Sequence, residues 1–248
     1  MRRLLILLLV LVFGLSYLPD PLAVDYGAIL APPSAAHLLG TDQLGRDVAA
    51  RLIAGARLTL GLTLATLAVT AVSGTVLGAV AGHLGLRAVP RIADVVAALP
   101  TILVGLITAA ILGPGLPSVV VAVCAVGWSP FTRQAYHLTV RETGREYVEA
   151  ARSLGAGPVR VITRHIAPNI AGPVLAHLCL RFAGTLLTVS GLSFLGLGVQ
   201  PPVAEWGAMV ADGRTYLFSS PHLVLAPAVA VVLTASLATA LGRSALRE

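Results

Sequence analysis

A chain of 248 residues with mean hydropathy +0.88, 56% apolar residues and only 11% charged ones has too little polar surface to cover itself in water. Soluble domains carry about a quarter charged residues, and here the apolar residues fall in long blocks, so an all-α membrane helix bundle is expected and a soluble fold is excluded. The net charge of +6 comes from 17 arginines and no lysine, dispersed along the chain with aromatics at 5%, which lacks the basic stripe and stacking platforms of a nucleic-acid binder.

Six spans are expected. Met1 to Leu18 opens with Arg2 and Arg3 and then runs apolar. A signal peptide begins the same way, but Tyr17-Leu18-Pro19-Asp20 lacks the small-residue cleavage pattern, so the segment reads as a retained first transmembrane helix. Leu58 to Gly82 has no charge and carries Gly74, Gly78 and Gly82 one turn apart, a small-residue ridge that suits close helix packing within the chain. Val95 to Leu112 follows, with Pro100 inside it, and then Pro114 to Phe131 after a Gly-Pro-Gly turn. Ile170 to Val199 is broken once by Arg181, and His222 to Gly242 is last. The reading divides the chain into residues 1–56, a first helix with an external segment, and residues 57–248, a core.

With the N-terminus inside, twelve arginines fall on cytoplasmic segments and four on the other side, Arg46, Arg51, Arg57 and Arg214. That bias places both termini in the cytoplasm. Cys124 and Cys179 sit in apolar blocks and read as small hydrophobes. No metal site is expected. The six histidines are scattered, and Asp42 and Asp47 flank Arg46, where they would satisfy one another and cap a helix.

The polar stretch Thr132 to Asn169 is long for a connection between spans. Within Glu146–Leu154, helical spacing places Tyr147, Ala151 and Leu154 on one face, with Glu149 free to pair with Arg145 or Arg152. Gly155 stands where a helix takes its left-handed stop. Gly157-Pro158 then opens a second short helix, with Val159, Ile162 and Ile166 as its apolar stripe, Arg160 and Arg164 as its basic one, and Pro168 as its end. Two short helices at a sharp angle make a rigid cytoplasmic knob without a catalytic constellation.

Glu149-Ala150-Ala151, then Gly155, then His165-Ile166-Ala167-Pro168 resembles the EAA loop of ABC-importer permeases. Leu39-Gly40-Thr41-Asp42-Gln43-Leu44-Gly45-Arg46-Asp47 resembles a signature of the dipeptide, oligopeptide and nickel branch. So do Arg91-Ile92-Ala93-Asp94 with Pro100, Ser193 to Pro202 with Glu205-Trp206-Gly207, and the ending Leu241 to Arg247, where Arg243 and Ser244 replace the usual Asp-Ala. The likeness runs from about residue 37 to the end.

This resemblance implies a type I ABC-importer permease fold in a bacterial inner membrane, with the 146–168 loop as coupling helix. It implies that Glu149, Ala150, Ala151, Arg152, Leu154, Gly155, Ala156 and Arg160 contact an ATP-binding subunit. The implied partners are a second homologous permease in a heterodimer, two ATP-binding subunits, an extracytoplasmic binding protein and the lipid bilayer. The chain is then a transport subunit and not an enzyme. No GxxxxGK[ST] loop occurs in it, so ATP and Mg belong to the partners and this chain binds no cofactor. Di- or oligopeptides are the expected cargo, with nickel or a metal chelate as the alternative. Arg181 has two placements open to it, a headgroup-level snorkel or a position facing the translocation pathway.

Overall fold

The computed structural model describes residues 20–245, so the predicted span Met1–Leu18 lies outside the described residues. Among the described residues the chain is helical, with four helices long and apolar enough to cross a membrane and a fifth crossing if a bent pair is taken as one span. The predicted division at 56/57 falls inside the first of these helices.

Helix α1 spans Val48–Leu84. It starts ten residues before the uncharged block because Asp47 caps it, accepting from the Ala50 amide at 2.8 Å. At 1.5 Å per residue its 37 residues reach about 55 Å, well beyond a ~30 Å hydrocarbon core. Gly85 ends it in the left-handed conformation, φ +70°.

The predicted span Val95–Leu112 is not one rod. Helices α2 (Ala88–Ala97) and α3 (Thr101–Leu112) meet at 83°. Pro100 has no amide hydrogen to give and disfavours helical backbone at Leu99, so the ladder stops and restarts. An exposed Arg133–Asp94 ion pair, 3.2 Å, ties α2 to the next helix.

Helix α4 spans Leu116–Thr143 and passes without a break through Phe131, the predicted end of its span. The first third of the supposed polar loop is therefore helix continuing out of the membrane. α1 and α4 form the most extensive helix pair in the fold. The glycine ridge is the reason. A Cβ at Gly74 would lie 2.3 Å from the Trp128 carbonyl oxygen, one at Gly78 2.3 Å from that of Thr132, and one at Gly82 2.8 Å from that of Tyr136. The helices are in backbone contact, and the Thr132 hydroxyl donates across them to the Gly74 carbonyl at 3.0 Å.

After the short helix α5 (Glu146–Ser153), helix α6 runs from Pro158 to Phe194. Pro168 does not end it, because a wide turn with i→i+5 character over Val161–Ile166 carries the chain past. Helix α7 (Trp206–Gly213) lies between α6 and the last helix, α8 (His222–Ala245). Leu60, Leu186, Trp206 and Val231 form the core that joins α1, α6, α7 and α8.

The N-terminal end of α1 is braced by polar contacts. Arg46 pairs with Asp42 at 2.7 Å and Arg51 with the same carboxylate at 3.4 Å, all three buried. The expected mutual satisfaction of Asp42, Arg46 and Asp47 thus has one correction: Arg51 joins Arg46 on Asp42, while Asp47 caps α1 and meets His37 at 3.0 Å.

Candidate functional site

The predicted knob is anchored from below. Val148 is fully buried in a cluster with Ala79 of α1 and Val161, Ile166 and Ile170 of α6, and Ala151 is nearly fully buried. Of the face predicted from the sequence, Tyr147, Ala151 and Leu154, only Ala151 is buried, and Leu154 is 88% exposed. The stripe Val159, Ile162, Ile166 fails for a related reason. A turn with i→i+5 bonds sets Val161 and Ile166, five residues apart, on one face, and leaves Val159 outside at 74% exposure.

Gly155 behaves as its position requires. Its φ is +84°, its amide donates to the Arg152 carbonyl at 2.9 Å, and the Ala156 amide donates to that of Ala151 at 3.0 Å. That pair of bonds is the Schellman stop. Gly157 then precedes Pro158 in the first position of α6, as the sequence suggests. Glu146 and Glu149 in the first turn of α5 and Arg152 in the last complement its dipole.

Among the described residues Glu149 forms no ion pair with Arg145 or Arg152; Arg145 approaches Glu142 instead, at 3.9 Å. Of the predicted contact residues, Glu149, Ala150, Arg152, Leu154, Gly155 and Arg160 are exposed, as are Val159 and Arg164, whereas Ala156 is half-buried and Ala151 is buried.

Sequence reasoning misses the strut behind this surface. The Tyr147 hydroxyl donates to Glu142 at 2.8 Å and accepts from the Asn169 amide at 3.1 Å, and the same amide reaches the His165 carbonyl at 2.6 Å. The end of α4, α5 and the start of α6 are thereby tied at one point. Burial and the Glu142 carboxylate both push the Tyr147 phenol above its ordinary range. A tyrosine five residues after a buried glutamate carries no periodic signal, so pattern alone does not reveal it.

Glu205, named in the sequence only as part of a family motif, has a structural role that the sequence does not reveal. It is fully buried, caps α7 through the Ala208 amide at 2.9 Å, and accepts from the Thr59 hydroxyl at 2.9 Å. Burial raises its pKa above the usual carboxylate range, against the lowering effect of these donors. With Trp206 Nε1 donating to the Leu52 carbonyl at 2.8 Å, it pins α7 to the N-terminal half of α1.

Arg181 lines a cavity of about 160 Å³ between α1, α4 and α6, to which Thr101, the first residue of α3, also contributes. Its neighbours on α1 are Leu67 and Thr70, at the middle of the uncharged stretch 58–82. Thr70 is fourteen residues from Leu84, about 21 Å along the axis. The cavity thus lies beside the middle of that uncharged stretch.

Residues 74–246 match the profile of the family described as binding-protein-dependent transport system inner membrane component. The chain belongs to this family. This permease is 37% identical over 93% of its length to the di/tripeptide transport system permease protein DppC of Pseudomonas aeruginosa, of which the match covers 80%. It is 38% identical over 87% of its length to the nickel transport system permease protein NikC of Escherichia coli K12, covering 79% of that protein. To the glutathione permease GsiD of Pectobacterium atrosepticum it is 38% identical over 85% of its length and 71% of the relative. The permease also shares its fold with a chain of the methionine ABC transporter MetNI, solved in inward-facing conformations, at TM-score 0.63 and 17% identity over 79% of this chain and 95% of that one. It is a multi-pass permease of the ABC-importer class in the peptide and nickel branch.

Proposed function

We propose that this permease forms one half of the membrane pathway of an ATP-driven importer for di- or oligopeptides, handed over by an extracytoplasmic binding protein. Two ATP-binding subunits supply the hydrolysis, and a second, homologous permease supplies the other half of a heterodimer. Both termini of the chain lie in the cytoplasm. The observation that carries the reading is the knob: Leu154 and Val159 stand exposed among Glu149, Arg152, Arg160 and Arg164, on a base of buried Val148, Val161 and Ile166. An apolar pair rimmed by charge on a rigid base fits insertion into a groove of another protein. Glu149, Ala150, Arg152, Leu154, Gly155, Ala156 and Arg160 make that contact over the buried Ala151, and closure of the ATP-binding subunits moves α4 and α6 through the strut at Tyr147. Arg181 faces the pathway. A second cargo, nickel or a metal chelate, is favoured by the 38% identity to NikC, which equals the likeness to the glutathione permease.

The test is assembly. Solubilised from its native membrane, the wild-type permease should bring down both the ATP-binding subunits and the second permease. The double variant Leu154→Arg, Val159→Arg should lose the ATP-binding subunits and keep the second permease. Retention of both by the variant would overturn the assignment of the knob.

A further inference from the structure

The cavity at Arg181 has a composition that selects its ligand. Of the residues that line it, Arg181 alone is ionisable. Among the described residues no carboxylate lies within ion-pair distance of its guanidinium, and the helices that enclose the cavity bring no acidic side chain to it. An arginine inside a membrane span without a counter-ion is costly and is retained where it meets a pathway or a charged partner.

Three of the four threonines that line the cavity, all but Thr101, are spent in one direction. The Thr185 hydroxyl donates to the Arg181 carbonyl at 3.0 Å, Thr188 to that of Gly184 at 2.9 Å, and Thr70 to that of Thr66 at 2.9 Å. Their hydrogens are bound to their own helices, so each oxygen offers the cavity an acceptor. A fixed cation beside a set of acceptor oxygens matches a carboxylate flanked by N–H donors. The guanidinium takes the carboxylate through its planar fork, and the threonine oxygens take the donors. A bare divalent cation meets the opposite, a positive charge in a low-dielectric space with no anionic ligand, an arrangement that excludes cations.

We propose that the Arg181 cavity is a transit site for carboxylate-bearing cargo, which recognises the free C-terminal carboxylate of a peptide and turns away uncomplexed metal ions. The inference rests on the reading of the chain as an importer permease and names the charge its pathway requires. An anionic metal chelate carries the same group, and the experiment separates the two sources.

The whole importer is reconstituted in vesicles with its second permease, ATP-binding subunits and binding protein, and ATP-dependent uptake is measured. The cargoes are a free-acid tripeptide and its C-terminal amide, each at a concentration that saturates the binding protein in a separate titration, together with uncomplexed Ni²⁺ and nickel citrate. Arg181→Gln should lower free-acid uptake at least tenfold while changing amide uptake less than twofold, and Arg181→Lys should stay within threefold of wild type for the acid. An amide that saturates the binding protein yet enters at least tenfold more slowly than the acid through the wild-type pathway supports the site without any variant. That comparison decides the matter should the glutamine variant fail to co-elute with its partners. Equal losses for acid and amide in Arg181→Gln, no loss for either, or wild-type uptake of uncomplexed Ni²⁺ would overturn the proposal. Arginine-dependent uptake of nickel citrate with neither peptide carried would uphold the carboxylate site and overturn the peptide reading.

Discussion

At Gly78 the permease has no room for a methyl group. A Cβ would stand 2.3 Å from the Thr132 carbonyl oxygen and 2.9 Å from the Ala135 Cβ, so α1 and α4 would have to separate along their shared length. Gly172, in α6, has nothing within 4 Å. The same residue type therefore does two different jobs, one of contact and one of indifference. Gly78→Leu should destabilise the helix pair by on the order of 3 kcal/mol, the upper end for overpacking. Gly172→Ala should leave stability unchanged or raise it by up to about 1 kcal/mol, since alanine loses less backbone entropy in a helix. Thermal unfolding of the purified permease in detergent reads both, and a Gly78→Leu midpoint equal to wild type would refute the packing argument. The contact is legible in the sequence, because glycines four residues apart in an uncharged block line one helix face and leave it bare enough for a second backbone. Arg181 is half legible: its cost in lipid marks it, but only the fold shows the cavity it shares with Leu67 and Thr70.

At the scale of the element, the knob shows where pattern reading holds and where it fails. Stops and starts written in one residue's backbone are legible: Gly155 at φ +84° and Pro158 in the first position of α6. Faces read by 3.6-residue spacing are not, because the turn at Val161–Ile166 changes the period to five and exchanges Val159 for Val161. Pro168 misleads for a similar reason, since its missing amide falls at the start of regular helix just after that turn, where no bond needed it. A backbone-only role for Gly155 can be isolated, because nothing lies within 4 Å of a Cβ placed there. Gly155→Val should cost about 1–2 kcal/mol through the left-handed conformation alone, a factor of roughly 5–30 in the population of the native knob. Gly155→Asn, which tolerates that conformation, should keep most of the uptake. Transport assays on cells with equal membrane levels of each variant check this. Equal uptake by the valine and asparagine forms would assign Gly155 no conformational role.

For the whole molecule, the helix pair α1–α4 is the fixed frame, and the two ends of the bundle carry different chemistry. One end holds the buried Asp42–Arg46–Arg51 group and the Glu205 cap of α7. The other carries the exposed arginines Arg141, Arg145, Arg152, Arg160 and Arg164 around the knob. The arginine count of twelve to four carries the inside–outside bias, since acidic partners contribute little to it. The proposed orientation follows from that count, with the knob in the cytoplasm. Ser219, in the exposed turn before α8, then faces outward. With Cys124 and Cys179 replaced by serine, Ser219→Cys in intact cells should react with a membrane-impermeant maleimide, and Ser153→Cys should react only after the membrane is opened. The bent pair α2–α3 must then be a true crossing, because Gly74, Gly78 and Gly82 meet Trp128, Thr132 and Tyr136 in ascending order, so α1 and α4 run parallel and the chain has to cross back between them. Gly85→Cys should therefore label from the same side as Ser153→Cys, and labelling of the two from opposite sides would refute the parallel packing.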